Sequence, residues 1–174
     1  MEDIKQKAKQ LKLLILDVDG VLTDGKLFFD HNGGEYKSFH ARDGHGIKLL
    51  RQTGVEVAVI SGRKSQSVAL RMQALGVDYV YQGHENKIAA FNEIIQSMGI
   101  KPDEAAHMGD DLLDLPIMVR VGLSIAVNDA NDSVKEYADW CTKTPGGLGA
   151  VREVCDFIMQ AQGSFDGVLK SYMQ

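Results

Sequence analysis

The run from residue 13 to residue 25, LLILDVDGVLTDG, is the feature that most restricts how this chain can fold. Its four leading apolar residues predict a buried strand. Two acidic residues, Asp17 and Asp19, follow that strand directly, and a glycine comes next. Charged side chains are rarely buried fully unless they are paired or hold a metal ion. We therefore expect both carboxylates at the open carboxyl end of the strand, where parallel α/β sheets bind ligands.

Strands and helices alternate along most of the remaining sequence. Apolar and β-branched runs predict further strands at residues 55–60, 78–81, 105–108, 123–127 and 138–141. Amphipathic segments predict helices at 46–51, 65–75, 86–98 and 148–161. Such alternation requires right-handed crossovers between parallel strands. The predicted fold is therefore α/β: a doubly wound, Rossmann-like parallel sheet with helices on both faces.

The segment 26–40 interrupts this alternation after the first strand. Two short runs flank the sequence His-Asn-Gly-Gly at 31–34, which predicts a β-hairpin. The hairpin is rich in aromatic residues, among them Phe28 and Phe29. Because an isolated hairpin is only marginally stable in water, we expect it to pack on another subunit. Packing against its own domain is the alternative.

The size and charge of the chain exclude several classes of protein. Its 174 residues suit one domain, predicted at 1–162 and followed by a tail at 163–174 that is either frayed or docked on a neighbour. A net charge of −5 with scattered basic residues argues against a nucleic-acid partner. No apolar run suits a membrane span or a secretory signal, so we expect a cytoplasmic protein with no membrane partner. Cys141 and Cys155 are predicted to be reduced core thiols.

Polar residues directly follow three of the predicted strands. Asp17 and Asp19 follow the first strand, Ser61 a second and Asp110 a third. Because the carboxyl ends of parallel strands meet at one edge of a sheet, we expect these side chains to converge. Their oxygens suit Mg²⁺, and Lys87 adds positive charge. This set predicts phosphate-monoester hydrolysis in which Asp17 attacks phosphorus and Asp19, on the same side of the extended chain, transfers the proton.

These residues resemble the four signatures of the haloacid dehalogenase superfamily, which includes many phosphatases. The signatures appear here in the family order, as residues 17–21, Ser61, Lys87 and residues 109–114. The resemblance covers about residues 11–128. Most larger members carry an inserted cap domain that shuts water out of the site. The hairpin is the only insert after the first signature here, so we expect no cap domain.

The resemblance implies a Mg²⁺ site built from acidic residues. Asp17 is implied to be both the nucleophile and a metal ligand. Asp19 is implied to be the general acid and base, and to offer its backbone carbonyl to the metal. Asp110 is implied to bind the metal directly. Either Asp111 or Asp114 would support the metal or its bound waters.

The resemblance also implies that Ser61 and Lys87 hold the phosphoryl group, with Gly62 beside them. Taken alone, Ser61 and Gly62 fit an ordinary strand-to-helix cap better than a phosphate site. Lys87 lies near a predicted helix start, where a cation is unfavourable to the helix dipole. It must therefore either point into solvent or meet an anion, and the resemblance favours the anion.

Arg63 is our candidate for recognising a substrate carboxylate, because a guanidinium can bind that group through two hydrogen bonds. A surface ion pair is the alternative for this residue. Thr23 and Arg71 are weaker candidates for substrate binding. His45 and His84 flank the expected mouth of the site, and we leave both out of catalysis.

Within the superfamily, the chain most resembles a subgroup of small phosphatases that act on an eight-carbon sugar-acid phosphate in making the inner core of lipopolysaccharide. The motifs that carry this likeness are residues 16–25, 41–46, 60–63 and 146–152. The likeness implies a small anionic sugar-phosphate substrate and a homotetramer in which neighbouring subunits do the capping. A nine-carbon, sialic-type sugar-acid phosphate is the alternative substrate. A phospho-accepting receiver-like signalling domain is the alternative from another class.

Overall fold

The computed structural model describes residues 2–84 and 86–173. Its centre is a six-stranded sheet in which every neighbouring pair of strands is parallel. A separate antiparallel pair forms the hairpin. The strands are Leu13–Leu16 (β1), Phe28–Phe29 (β2), Glu35–Tyr36 (β3), Glu56–Ser61 (β4), Tyr79–Gln82 (β5), Ala105–Gly109 (β6), Leu123–Ala126 (β7) and Trp140–Cys141 (β8). The sheet order is β5-β4-β1-β6-β7-β8.

The helices cover both faces of this sheet. They are Glu2–Lys9 (α1), Ala41–Gln52 (α2), Gln66–Leu75 (α3), Lys87–Met98 (α4), Leu115–Met118 (α5), Asp132–Lys135 (α6), Ala150–Ala161 (α7) and Phe165–Ser171 (α8). Two single 3₁₀ turns lie at Pro102–Glu104 and Leu112–Asp114. The predicted doubly wound α/β fold is confirmed, and the residues described by the structure form no cap domain.

The central strand β1 is buried on both faces, which explains its uninterrupted apolar sequence. Leu14 and Leu16 pack into a core cluster with residues of α1, α2, α3 and α7. Leu13 and Ile15 point to the opposite face and pack mainly with residues of α4. Because side chains alternate along a strand, four consecutive apolar residues supply both cores.

Helix α2 begins at Ala41, earlier than the predicted start near residue 46. Two glycines in its first half, Gly44 and Gly46, lower helix propensity and conceal the true start. Both allow close packing, because Arg71 and Arg152 occupy the space that a side chain there would need. Tertiary contacts therefore extend the helix beyond what local propensity predicts.

The hairpin forms as predicted but is short, pairing Phe28 with Tyr36 and Phe29 with Glu35. Phe28 and Phe29 are exposed in the single chain, whereas Phe39 packs against the chain's own core. The alternative of packing within the domain is therefore correct for Phe39.

Residues 163–174, predicted as a tail, contain helix α8, whose Phe165 and Val168 pack on the core. Helix α1 lies in a polar stretch for which the sequence predicted no element, and Ala8 is its buried residue. Gln174, the last residue of the predicted tail, lies outside the described residues.

Both cysteines are free thiols. Cys155 is buried in the core, as predicted, but Cys141 is exposed, so the prediction of a core thiol is wrong for that residue. Cys141 ends the short edge strand β8, where its side chain faces outward. In the part of the chain that the structure describes, no helix combines the length and apolar character needed to cross a membrane.

Candidate active site

A pocket opens at the carboxyl ends of β1, β4 and β6, where the sequence predicted a site. These three strands are adjacent in the sheet, so the loops after them meet although they are far apart in sequence. The pocket is lined by Asp17, Asp19, Gly25, Ser61, Gly62, Arg63, Lys87, Asp110, Asp111, Leu113 and Asp114. Thr23 and Arg71 are not among these residues.

Three carboxylates crowd together at the bottom of the pocket. Asp17, Asp110 and Asp114 each have an oxygen within 4.8 Å of an oxygen of the other two. Asp17 and Asp114 are buried, and Asp110 is half-buried. Such a group is electrostatically unfavourable without nearby positive charge, because low-dielectric surroundings strengthen the repulsion between carboxylates.

Lys87 supplies positive charge to this cluster. Its Nζ lies 2.7 Å from Asp17 Oδ1 and 2.7 Å from Asp114 Oδ1, and the residue is only 3% exposed. Lys87 is the first residue of α4, and the preceding Asn86 caps this helix by accepting a hydrogen bond from the Ile88 amide. Of the two alternatives for a cation at this helix start, the structure shows contact with anions.

Asp114 accepts four hydrogen bonds. Its Oδ1 accepts from Lys87 and lies 3.0 Å from His107 Nε2. Because a carboxylate only accepts, the His107 ring must donate from Nε2. Its Oδ2 accepts from the backbone amides of Asp110 and Asp111, at 3.0 and 3.3 Å. These four bonds use the acceptor capacity of the carboxylate, so Asp114 fastens the loop after β6 to Lys87.

Burial and mutual repulsion change the ionisation of these carboxyls. Burial, together with the nearby charge of Asp114, raises the pKa of Asp17 from 3.8 to about 7, although Lys87 opposes the shift. Burial and the charges of Asp17 and Asp114 raise the pKa of Asp110 to about 8. Burial acts in the same direction on Asp114, but His107 and Lys87 outweigh it and hold the pKa of Asp114 well below its usual value. The cluster therefore holds less positive charge than its three carboxylates need for full ionisation.

The loop after β1 brings Asp17 and Asp19 to the pocket through tight local contacts. Gly20 has φ +87°, and the Asp110 carboxyl occupies the space that a side chain on Gly20 would need. Thr23 is buried, and its hydroxyl donates to the Val18 carbonyl at 3.3 Å. The same hydroxyl accepts from the Gly25 amide at 3.3 Å. Thr23 therefore stabilises the conformation of this loop without lining the pocket.

A second group of charges lies at the rim. Lys37 Nζ is 2.5 Å from Asp19 Oδ1 and 2.8 Å from Glu35 Oε1. Arg63 Nη2 donates to Glu35 Oε2 at 2.7 Å, and its Nε lies 3.7 Å from Asp19 Oδ2. In the single chain Arg63 therefore forms an ion pair with Glu35, and a surface ion pair is the alternative that the sequence analysis gave for this residue. The sequence analysis missed Lys37 and Glu35, although their spacing places both on one side of an extended strand.

Two comparisons at the sequence level identify the family. The model of the haloacid dehalogenase-like hydrolases matches residues 79–154. The 3-deoxy-D-manno-octulosonate 8-phosphate phosphatase KdsC of Escherichia coli K12 is 48% identical over 164 residues, which cover 94% of this chain and 87% of that protein. The chain belongs to the KdsC family of haloacid dehalogenase-like hydrolases.

Solved structures of the KdsC family share this fold closely. The phosphatase from Moraxella catarrhalis, solved in complex with magnesium, phosphate and KDO, is 38% identical with a TM-score of 0.97 over 99% of each chain. The cobalt-bound phosphatase from Haemophilus influenzae is 42% identical with a TM-score of 0.93, over 97% of this chain and 100% of that one. The likeness therefore extends across the whole described fold.

The donor set of this KdsC-family chain fits a hard divalent cation. The clustered ligands are carboxylate oxygens, which Mg²⁺ prefers, and the cluster contains no thiol or imidazole ligand among the described residues. The raised pKa values of Asp17 and Asp110 reflect too little positive charge. A bound cation would favour the ionised form of both carboxyls.

Three other residues considered in the sequence analysis, Arg71, His45 and His84, do not line the pocket. Arg71, on α3, packs against Gly44 of α2. His45 makes a 2.9 Å hydrogen bond to the Tyr172 hydroxyl. His84 meets Tyr81 edge to face, with ring centroids 5.8 Å apart.

Proposed function

We propose that this protein hydrolyses 3-deoxy-D-manno-octulosonate 8-phosphate to the free sugar acid and phosphate, with Mg²⁺ as cofactor, in the synthesis of the lipopolysaccharide inner core. The observation that carries this function is the pocket in which Asp17, Lys87 and Asp110 meet. It occurs in a chain that matches KdsC phosphatases over 94% of its length. Membership of a hydrolase family also argues against a receiver domain, which would preserve its acyl phosphate.

Asp17 is the proposed nucleophile, and Lys87 orients it. The 2.7 Å hydrogen bond from Lys87 fixes the Asp17 carboxyl at the end of β1. Attack by this carboxylate on phosphorus forms an aspartyl phosphate, which divides one slow hydrolysis into two displacements. Lys87 also offsets negative charge on the phosphoryl oxygens, and Ser61 and Gly62 line the same pocket to hold the group.

Asp19 is the proposed general acid and base. It lines the same pocket two residues after Asp17. In the first displacement it protonates the departing sugar oxygen, and in the second it takes a proton from the attacking water. This second carboxyl distinguishes a phosphatase from a domain that stores its acyl phosphate.

The proposed metal ligands are Asp17, Asp110 and the backbone carbonyl of Asp19. When bound, Mg²⁺ neutralises negative charge on the phosphoryl group. Asp114 has its four acceptor positions occupied. We therefore assign to it the support of the metal site through Lys87 and the loop of Asp110. Asp111 lines the pocket, and its side chain caps the following turn by accepting from the Leu112 amide at 2.8 Å.

Arg63 remains the proposed ligand of the substrate carboxylate. It lines the pocket and is partly exposed, but it must share its guanidinium with Glu35. Thr23 and Arg71 stay as predictions of substrate contacts, although in a single chain Thr23 binds the backbone of its loop and Arg71 packs against α2.

We also propose a cytoplasmic homotetramer whose single domain spans 1–162. The exposed aromatic residues of the hairpin, Phe28, Phe29 and Tyr36, support contact with another subunit. Two free thiols are consistent with a reducing compartment.

Phosphate release from a panel of sugar phosphates tests the proposed function. With Mg²⁺ we expect the eight-carbon 3-deoxy sugar acid to be hydrolysed with a higher kcat/KM than a nine-carbon sugar-acid phosphate or glucose 6-phosphate. Chelation with EDTA should abolish turnover, and added Mg²⁺ should restore it. A preference for the nine-carbon substrate would replace the proposed substrate with its alternative. A lasting phosphoprotein without phosphate release would contradict the hydrolase assignment.

A further inference from the structure

The hairpin segment places the buried side chain of Lys37 beside Asp19, the proposed general acid. Lys37 follows β3, and its side chain is 1% exposed. Its Nζ contacts Asp19 Oδ1 at 2.5 Å and Glu35 Oε1 at 2.8 Å. A buried ammonium is stable only when its charge is paired, and both partners here are carboxylates. The side chain is therefore held between the hairpin and the loop that carries Asp19.

Lys37 contacts the reacting site directly at Asp19, and through Glu35 it is also linked to Arg63. Asp19 lines the pocket, whereas Lys37 is not among the residues that line it. An ammonium group only donates hydrogen bonds, so Oδ1 of Asp19 acts as an acceptor. The carbonyl oxygen of a protonated carboxyl is its better acceptor, so a proton carried by Asp19 is favoured on Oδ2. Arg63 Nε, at 3.7 Å from Oδ2, is too far away for a hydrogen bond.

We propose that Lys37 is a positioning residue that fixes the Asp19 carboxyl so that Oδ2 carries the transferable proton. The inference rests on the proposed function. An Asp17 oxygen bonds to phosphorus, the bond between phosphorus and the sugar oxygen breaks, and the proton on Asp19 Oδ2 passes to that oxygen. The departing oxygen of the sugar acid thus leaves as an uncharged hydroxyl group. In the second step water donates its proton back to Oδ2 as its oxygen bonds to phosphorus and releases Asp17.

The test uses substrates that differ in their need for an acid. A sugar phosphate releases an alkoxide that must be protonated, whereas p-nitrophenyl phosphate releases a stable phenolate. Lys37→Met removes the donor at similar side-chain length, and Lys37→Arg keeps a charged donor. Lys26→Met is the matched control, because Lys26 lies in the same hairpin segment with its side chain 71% exposed. The kcat and KM of each Mg²⁺-loaded protein are measured separately for both substrates, because Lys37 is also linked through Glu35 to Arg63, the proposed ligand of the sugar carboxylate.

We expect Lys37→Met to lower kcat/KM for the sugar phosphate by about 10-fold or more, part of the roughly 10²–10⁴-fold that general acid catalysis contributes. The value for p-nitrophenyl phosphate should change much less. Lys37→Arg should recover part of the loss, and Lys26→Met should behave as the wild type. Retained hydrolysis of p-nitrophenyl phosphate shows that the variant is folded with an intact nucleophile.

Equal losses for both substrates, no loss for either, or a loss for the sugar phosphate that lies in KM and not in kcat would overturn the positioning role. An equal loss accompanied by a changed molecular mass or a lowered Tm would assign Lys37 to the structure of the hairpin instead. A wild-type protein that hydrolyses neither substrate would refute the proposed function, and this inference with it. The ratio of the two kcat/KM values therefore tests the inference separately from the wild-type activity.

Discussion

Lys87 offsets the electrostatic repulsion among the three clustered carboxylates of the pocket. It is buried, and it donates at 2.7 Å to both Asp17 and Asp114. Burial alone would lower the pKa of this lysine, but the two carboxylates raise it above its ordinary value, so the ammonium stays charged. A buried ion pair contributes little net stability, yet removing one partner leaves an uncompensated charge.

Replacing Lys87 with methionine should therefore destabilise the metal-free protein. We expect the free energy of unfolding in urea to fall by about 3–5 kcal/mol, the range for breaking a buried ion pair. Lys48→Met, at an exposed position of α2, serves as the control and should change stability by less than about 0.5 kcal/mol. Adding Asp17→Asn to Lys87→Met should restore part of the loss. Equal stability of Lys87→Met and wild type would contradict the buried ion pair.

Replacing Asp17 with asparagine should separate catalysis from stability. The amide is a poor nucleophile, so phosphate release should fall on the order of 10³-fold or more. Removing one of the crowded carboxylates should also raise the Tm of the metal-free protein at pH 8, where repulsion is greatest. Asp132→Asn, whose side chain is exposed, should leave both quantities unchanged. Turnover near the wild-type value would remove Asp17 from the nucleophile role.

Among the elements, the hairpin both contributes charged residues to the pocket rim and exposes an apolar face to solvent. Its inner side supplies Glu35 and Lys37 to the rim of the pocket. Phe28 and Phe29 stay exposed in the single chain, at 47% and 59%. A two-stranded hairpin of this length needs such an apolar face to be covered to be stable. A contact between subunits would thus stabilise the element that holds Asp19.

Replacing Phe28 and Phe29 with serine should weaken that contact. If the protein is the proposed tetramer, the molecular mass measured by sedimentation should shift to smaller species as the variant is diluted. Turnover of the sugar phosphate should fall together with the mass, because the hairpin would lose its support. A mass that matches the wild type at every concentration would show that these aromatic rings do not form the subunit contact.

At the scale of the whole molecule, stability and metal binding are coupled through the acidic cluster. The pKa values of Asp17 and Asp110 lie at about 7 and about 8, far above the ordinary value of 3.8. At pH values between 3.8 and these raised pKa values, the folded metal-free protein binds more protons than the unfolded chain. Its free energy of unfolding therefore falls as pH rises through the folded pKa values. A cation that binds the ionised carboxyls reverses this loss.

The stabilisation by Mg²⁺ should consequently grow with pH. We expect the rise in Tm on adding Mg²⁺ to be larger at pH 8 than at pH 5.5. The quantity to measure is the difference in Tm between the Mg²⁺-bound and the metal-free protein. Burial lowers the pKa of His107, so the stability of the protein also falls as pH drops below about 6.5, which is opposite to the trend that the two carboxyls cause. In Asp110→Asn the pH dependence of this difference should shrink. A Mg²⁺ effect independent of pH in the wild type would contradict the raised pKa values.

The order of the elements and the sheet edge that carries the candidate site could both be predicted from the sequence. Continuous apolar runs such as residues 13–16 indicate buried parallel strands, and the ends of parallel strands meet at one edge. Asp17, Ser61 and Asp110 could therefore be assigned to a single site from their positions after strands. The predicted helices 65–75 and 86–98 are each followed by a glycine, Gly76 and Gly99, and both adopt the left-handed φ values typical of helix ends, 73° and 63°.

Only the tertiary structure decided how the charges pair. Local patterns carry no information on which distant side chain neutralises a buried group, because pairing depends on packing between elements. The predicted strand 105–108 gives no sign that His107 donates to Asp114. The predicted hairpin 26–40 gives no sign that the Lys37 side chain is buried against Asp19. Strand order thus follows from local periodicity, whereas the protonation and orientation of the reacting groups follow from contacts that form only in the folded chain.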